Sequence, residues 1–258
     1  MIKMGVQGDI GKLLSGMPIA VPGVNVAVSQ PKVKDICAFG EDDFFFATQF
    51  FLNADKVIIP IKEGNPQLAM LDTFQLLLIV VQDDKEVREA IESLFCLIFP
   101  DYNVEFLPGM IQFKTKDEDR IVGRLNSFAF ESFQSVLQDC FVPIVSKDKE
   151  IEYNPANERA AEIAAKLKRG NEIRAKQQAE QQGDIGSMFA NYTSVLSVGL
   201  GMDINILYNY TPFQLFDAYK RYQVKQAYDL YQKVATTPMM DTSKMTEPDS
   251  WFDNLYKQ

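Results

Sequence analysis

Histidine is absent from the chain. That excludes hydrolytic triads built on imidazole, His-ligated metal sites and imidazole acid/base chemistry. Cysteine is scarce: Cys37, Cys96 and Cys140 are widely separated and lack C-x-x-C or any other zinc-like spacing. Each sits in an apolar setting (DICAF, LFCLIF, LQDCF), which predicts small buried thiols in a reduced compartment. Basic residues are outnumbered 26 to 35 by acidic ones, a net charge of −9 that disfavours general nucleic-acid binding. Long apolar runs are missing as well. The most apolar stretch, Leu68–Val81, carries Asp72 and falls short of the roughly 20 residues a membrane helix needs, so it reads as a buried helix. No basic segment followed by an apolar run opens the chain, and a cytosolic protein without a secretory signal is expected.

Bulky apolar residues are abundant. Nineteen Phe and ten Tyr among 258 residues supply a substantial core, which argues against global disorder. The opening GVQGDIGKLLSG has some likeness to a phosphate loop, but its glycine spacing is too short and Leu13 stands where Ser or Thr would hold magnesium. It reads as a loop with a helical turn, ahead of a strand at Val24–Ser29. Pro31 starts a short helix through Cys37 that Gly40 stops. EDDFFFATQFFL forms the next, its acidic first turn matched to the helix dipole. Asn65 and Pro66 are an N-cap and first-position pair for a helix to about Val81. Asp83 and Glu86 cap another from Asp84 to Phe99, with Val87, Ile91, Leu94, Phe95 and Ile98 on one face. Val104 and Phe106, the Pro108-Gly109 turn, Ile111 and Phe113, the Lys116–Asp119 turn and Ile121–Leu125 spell a three-stranded antiparallel meander. Asp117, Glu118 and Asp119 lack calcium-loop spacing and read as a solvated hairpin tip. A helix over about Phe130–Phe141 closes the region.

The stretch 146–153 is a charged linker. Asn154-Pro155 then opens a helix to about Gln181 dominated by Glu, Lys and Arg. Glu162/Lys166 and Glu172/Lys176 pair on it, and Gly170 weakens its middle by about 1 kcal/mol relative to Ala. Its thin stripe of alanines with Ile163, Leu167 and Ile173 predicts a solvated helix or one awaiting a partner. Met188–Leu200 reads as an apolar helix stopped by Gly201. Thr211, Pro212 and Gln214 give a complete start signal for a helix over Pro212–Val234. The expected fold is therefore α+β and predominantly helical. Its parts are an α+β domain over 1–145 with the meander, a linker and solvated helix over 146–183, and a helical region with an aromatic tail over 184–258.

No constellation supports catalysis; carboxylate pairs such as Asp42/Asp43 and Asp83/Asp84 are accounted for by helix starts. An enzyme is not expected, nor a cofactor or metal. Along the last long helix Phe213, Phe216, Tyr219, Tyr222, Tyr228 and Tyr231 make an aromatic stripe beside Lys220, Arg221 and Lys225. Stacking on single-stranded nucleic acid is one reading of that stripe, disfavoured by the net charge; burial in a core is the other. The terminal cluster Trp251, Phe252, Leu255 and Tyr256 either docks in a partner's groove or folds back on its own domain. The candidate partner-binding residues are Phe213, Phe216, Tyr219, Tyr222, Trp251 and Phe252.

Three segments carry a resemblance: PKVKDICAFGEDDFF, YNPANERAAEIAAKL and SVLSVGLGMDINILYNYTPFQLFDAYKRYQ. In this order and spacing the chain resembles tail assembly chaperone-like proteins of tailed bacteriophages from Gram-positive-type hosts, over about residues 20–235. The most specific part is the T-P-F-Q-L-x-x-x-Y-K-R-Y run. The resemblance implies a non-catalytic protein that holds tape-measure or tail-tube proteins during tail assembly in the host cytoplasm and is absent from the finished virion. It admits a homo-oligomer and implies neither nucleic-acid nor membrane partners. A permanent virion component, such as a tail, connector or baseplate subunit, is the alternative, and an enzyme using carboxylates or a lone cysteine the third reading.

Overall fold

The structure, a computed structural model, describes residues 9–64, 66–142, 187–236, 248, 250, 251 and 256. These fall into two units. The first joins the described residues up to 142 with those from Tyr192 onward; of the second, 145–191, only Ser187–Asn191 are described. The expected helix over 155–181 and the boundaries near 145 and 183 lie outside the described residues.

The fold is α+β and mostly helical. It opens with α1 (Ile10–Ser15), capped by the Asp9 carboxylate, which accepts from the amide of Gly11 at 3.0 Å. A two-stranded ribbon follows, β1 (Ile19–Ala20) with β2 (Ala27–Val28), shorter than the expected Val24–Ser29 strand because Val24 and Asn25 form the turn. Next come α2 (Val33–Phe39) and α3 (Glu41–Leu52). The start signals do not predict α4 (Ala54–Gly64), which carries Pro60 within it and bends 66° from α3 at Asn53. The expected helix from Asn65 to Val81 is corrected. Pro66–Met70 is a 3₁₀ turn, and α5 spans Thr73–Asp83. The reason is local: Asp72 is extended and exchanges hydrogen bonds with Gln75, whose amide donates to the Asp72 carboxylate at 2.8 Å, so helix starts afresh there.

Helix α6 (Lys85–Ile98) starts one residue later than expected, with Asp84 rather than Asp83 as its cap. The meander forms as β3 (Tyr102–Leu107), β4 (Met110–Thr115) and β5 (Ile121–Leu125), in that spatial order, with Val104 opposite Phe113 and Phe113 opposite Gly123. Gly123 is required by packing, since a Cβ there would run into the Val24 carbonyl oxygen. At the hairpin tip Lys114 pairs with Glu105 at 2.5 Å and Asp119 at 3.4 Å, which matches the solvated reading of 117–119. Helix α7 (Ser127–Phe141) is capped by Asn126, earlier than the expected Phe130.

One phenylalanine cluster holds these elements together. Phe95 on α6 lies 5.7 Å from Phe51, 5.4 Å from Phe99, 5.3 Å from Phe106 and 5.8 Å from Phe133, ring centre to ring centre. Of the three cysteines only Cys140 is buried; Cys37 and Cys96 are exposed, correcting the expectation that all three are core thiols. Both face outward because their helices place larger neighbours, Ile36 and Phe95, inward.

The C-terminal elements are α8 (Met188–Leu200), α9 (Ile204–Leu207) and α10 (Pro212–Ala235). The turn after α9 reaches back to α2. The amides of Val33 and Lys34, without intrahelical partners, donate to the carbonyls of Tyr210 at 2.8 Å and Tyr208 at 3.0 Å. Among the described residues no single helix is long and apolar enough to cross a membrane.

Candidate protein-binding surface

Helix α10 begins as its sequence dictates. The Thr211 amide donates to Gln214 Oε1 at 2.8 Å, and Gln214 Nε2 donates to the Leu14 carbonyl at 2.7 Å, fixing the helix against α1. The aromatic stripe divides along the helix. Phe213 and Phe216 are buried with Leu215, whereas Tyr219, Tyr222, Tyr228 and Tyr231 are half-buried. The first pair therefore serves the core, which leaves the tyrosines as the part of the stripe within reach of a partner. Side-chain chemistry explains the division: Phe has no polar atom to satisfy, and a Tyr hydroxyl favours a rim.

Helix α8 completes the layer. Tyr192 stacks on Tyr219, with ring centres 4.4 Å apart and planes 30° apart, and meets Phe216 edge-on at 5.7 Å. Burial, and to a smaller degree Tyr219 beside it, holds the Tyr192 phenol above its ordinary range. The outer end of the Tyr222 ring lies against Gly199, where any Cβ would collide with it and its hydroxyl. Val195 and Val198 on the same helix point to solvent, Val198 at 85% exposure, and Ile204 and Ile206 beyond it are exposed too. Exposed apolar residues set beside half-buried tyrosines are the composition of a protein-binding surface.

The described residues of the tail fold back onto α10. The Tyr256 ring stacks on Phe213 at 5.8 Å with planes 22° apart, and its hydroxyl donates to the Asp217 carboxylate. The Arg221 guanidinium lies over the same ring, 5.8 Å from its centre. It also donates from Nε to Asp217 at 3.1 Å and from Nη1 to the Trp251 carbonyl at 3.1 Å. Burial first, then the hydrogen bond and charge of Asp217, push the Tyr256 phenol up to about 12, against a lowering by Arg221. Trp251 thus joins the site through its backbone, and Phe252 lies outside the described residues.

Sequence reasoning placed Arg221 beside the stripe and missed Asp217, Tyr192 and Val198. The i,i+4 spacing of Asp217 and Arg221 was a usable signal for the first. Elsewhere in the first unit an apolar groove of about 290 Å³ runs along α5 beside the Pro108-Gly109 turn, lined by Leu71, Gln75, Leu78 and Ile79. Met70 and Phe128, at 97% and 96% exposure, flank the starts of α5 and α7, which Ser127 ties together by donating to Asp72 at 2.6 Å. Among the described residues no group of carboxylates and cysteines is arranged to hold a metal ion.

Residues 178–256 match the family model described as the YomV second domain. YomV is a Bacillus phage-region protein, and the match points to a phage origin for this chain. No curated protein and no solved structure in the comparisons matches it.

Proposed function

We propose that the chain is a non-catalytic tail assembly chaperone, which binds tape-measure or tail-tube proteins in the host cytoplasm while the phage tail is built. The observation that carries the reading is one of position. The matched stretch, 178–256, contains α8 to α10 and the tail, the same stretch that holds the half-buried tyrosines and exposed Val195 and Val198. A client whose apolar helical segments aggregate needs such a partner: aromatic rings supply area at low entropic cost, and hydroxyls at the rim keep the surface soluble when empty. The acidic balance of the chain adds solubility.

Co-expression with the neighbouring tail genes tests this. Soluble capture of the tape-measure or tube protein in fixed stoichiometry is the expected result. A stoichiometric band of this chain in purified particles would instead favour a permanent virion subunit.

A further inference from the structure

We infer that β3 is a dimerisation edge. Two copies of the chain pair antiparallel along it, about a two-fold axis at Val104, and join their meanders into one continuous sheet.

The meander has one closed edge and one open one. At β5 the Asn25 side chain donates to the Val122 carbonyl at 3.1 Å, and the Val24 carbonyl lies against Gly123. At β3 the two-residue Pro108-Gly109 turn makes Leu107 and Met110 a hydrogen-bonded pair. Alternation then aims the N–H and C=O of Val104 and Phe106 away from β4. Among the described residues these groups have no hydrogen-bond partner. Side-chain exposure follows the same gradient. Ile111 and Phe113 on β4 are fully buried, whereas Phe106 and Val104, opposite them on the same face, are only half-buried.

Nothing on the strand guards this edge. Sheet edges are commonly blunted by proline, lysine or a bulge, and Tyr102–Leu107 has no proline and no lysine. The register break of the meander lies between β4 and β5, so β3 pairs without a bulge. The one charge on β3, Glu105, is drawn onto its own sheet by Lys114 at 2.5 Å.

The residues of the strand suit a second copy of it. With Val104 opposite Val104 of the other copy, the two exchange both main-chain bonds, and each Phe106 amide donates to the opposing Tyr102 carbonyl. The Tyr102 amide needs no partner there, because it donates to the Phe99 carbonyl at 3.1 Å. The same register sets Tyr102 opposite Phe106 and Asn103 opposite Glu105, so ring meets ring and an amide donor meets a carboxylate. Pairing centred on Glu105 would instead oppose two carboxylates and draw in Pro108, which has no amide to give. Pairing centred on Asn103 would carry Phe106 past the end of the opposing strand. The contact is isologous and closes at two copies. It is independent of the chaperone reading and uses no residue of α8, α9 or α10.

Sedimentation velocity of the full chain from about 1 to about 200 µM tests it, with conversion from 29.3 kDa to twice that mass expected. Amide exchange at Val104 and Phe106 should slow as the dimer fills. Asn103 is exposed, and Asn103→Glu sets carboxylates against each other on both sides of the axis, which should weaken the dimer about tenfold. Asn103→Lys faces the same carboxylate with a cation and should retain it. A chain that stays monomeric over the whole range overturns the proposal and leaves the edge to an extended segment of another protein. A dimer indifferent to Asn103→Glu, or one that leaves Val104 and Phe106 unprotected, overturns it by placing the interface elsewhere.

Discussion

The two aromatic regions of this molecule are built from different rings. Around Phe95 the rings are almost all phenylalanine: Phe44, Phe51, Phe74, Phe99, Phe113, Phe133 and Phe141 are fully buried on α3, α5, α6, α7 and β4. Between α8, α10 and Tyr256 they are mostly tyrosine and half-buried, and the Tyr256 hydroxyl donates to the Asp217 carboxylate. A ring without a polar atom can be enclosed at no desolvation cost, so the rings of the first region are shut inside the core. A ring with a hydroxyl resists complete burial, so the second keeps one edge within reach of other molecules. Exposed Val195 and Val198 border the second region, and the larger cluster of ring contacts is the first.

Truncation of the central ring is the largest expected effect. Phe95→Ala removes a side chain touching five other rings, and a loss of about 3–5 kcal/mol in chemical denaturation follows from the transfer and cavity costs. A loss below about 1 kcal/mol would erase the contrast between the regions. Next is Gly199→Ala, whose methyl displaces the end of the Tyr222 ring; the helix-propensity gain of about 1 kcal/mol offsets part of the cost, so the readout is NMR shifts spread over α8 and α10 with the meander unchanged.

Tyr256→Phe deletes one donor to a carboxylate. Discounted for partial exposure, the cost is about 1 kcal/mol at neutral pH. Its pH dependence has a definite sign. The folded phenol titrates higher than the free one, so the protonated form is favoured by folding. The advantage of wild type over Tyr256→Phe is therefore whole below pH 10 and disappears as pH rises toward 12. The groups facing this phenol are Asp217 and Arg221. An advantage that grew with pH would contradict the contact. The smallest stability effect belongs to Val198→Ser, within about 0.5 kcal/mol because the side chain is solvated. Its effect should fall on client capture, measured by pull-down against wild type.

Much of this was legible in the residues. Caps and turns are local chemistry, so α3, the meander and α10 stand where their sequences put them, α10 with its Thr211–Gln214 box intact. Helix α4 was not legible, because Pro60 argues against a helix interior and only the surrounding packing overrides it. Within the apolar stretch Leu68–Val81, Asp72 is the N-cap of α5; period alone does not separate a buried run from two elements joined by a cap. The stripe on α10 was legible as a pattern but not as a boundary. Whether Phe213 and Tyr219 share one environment depends on α8 and the tail, which arrive from distant sequence. The contact of Asp217 with Tyr256 is illegible for the same reason, since 39 residues separate them, whereas its i,i+4 pairing with Arg221 is legible.

The central claim is that the tyrosine-bearing face of α8 and α10 captures a phage tail protein. The most direct test is co-expression with the neighbouring tail genes, followed by size-exclusion chromatography with light scattering, for wild type and Val198→Ser. The account predicts a soluble complex of fixed stoichiometry with the tape-measure or tube protein, diminished by the substitution. No complex with any tail product, and self-assembly of the chain into rings or tubes, would contradict it.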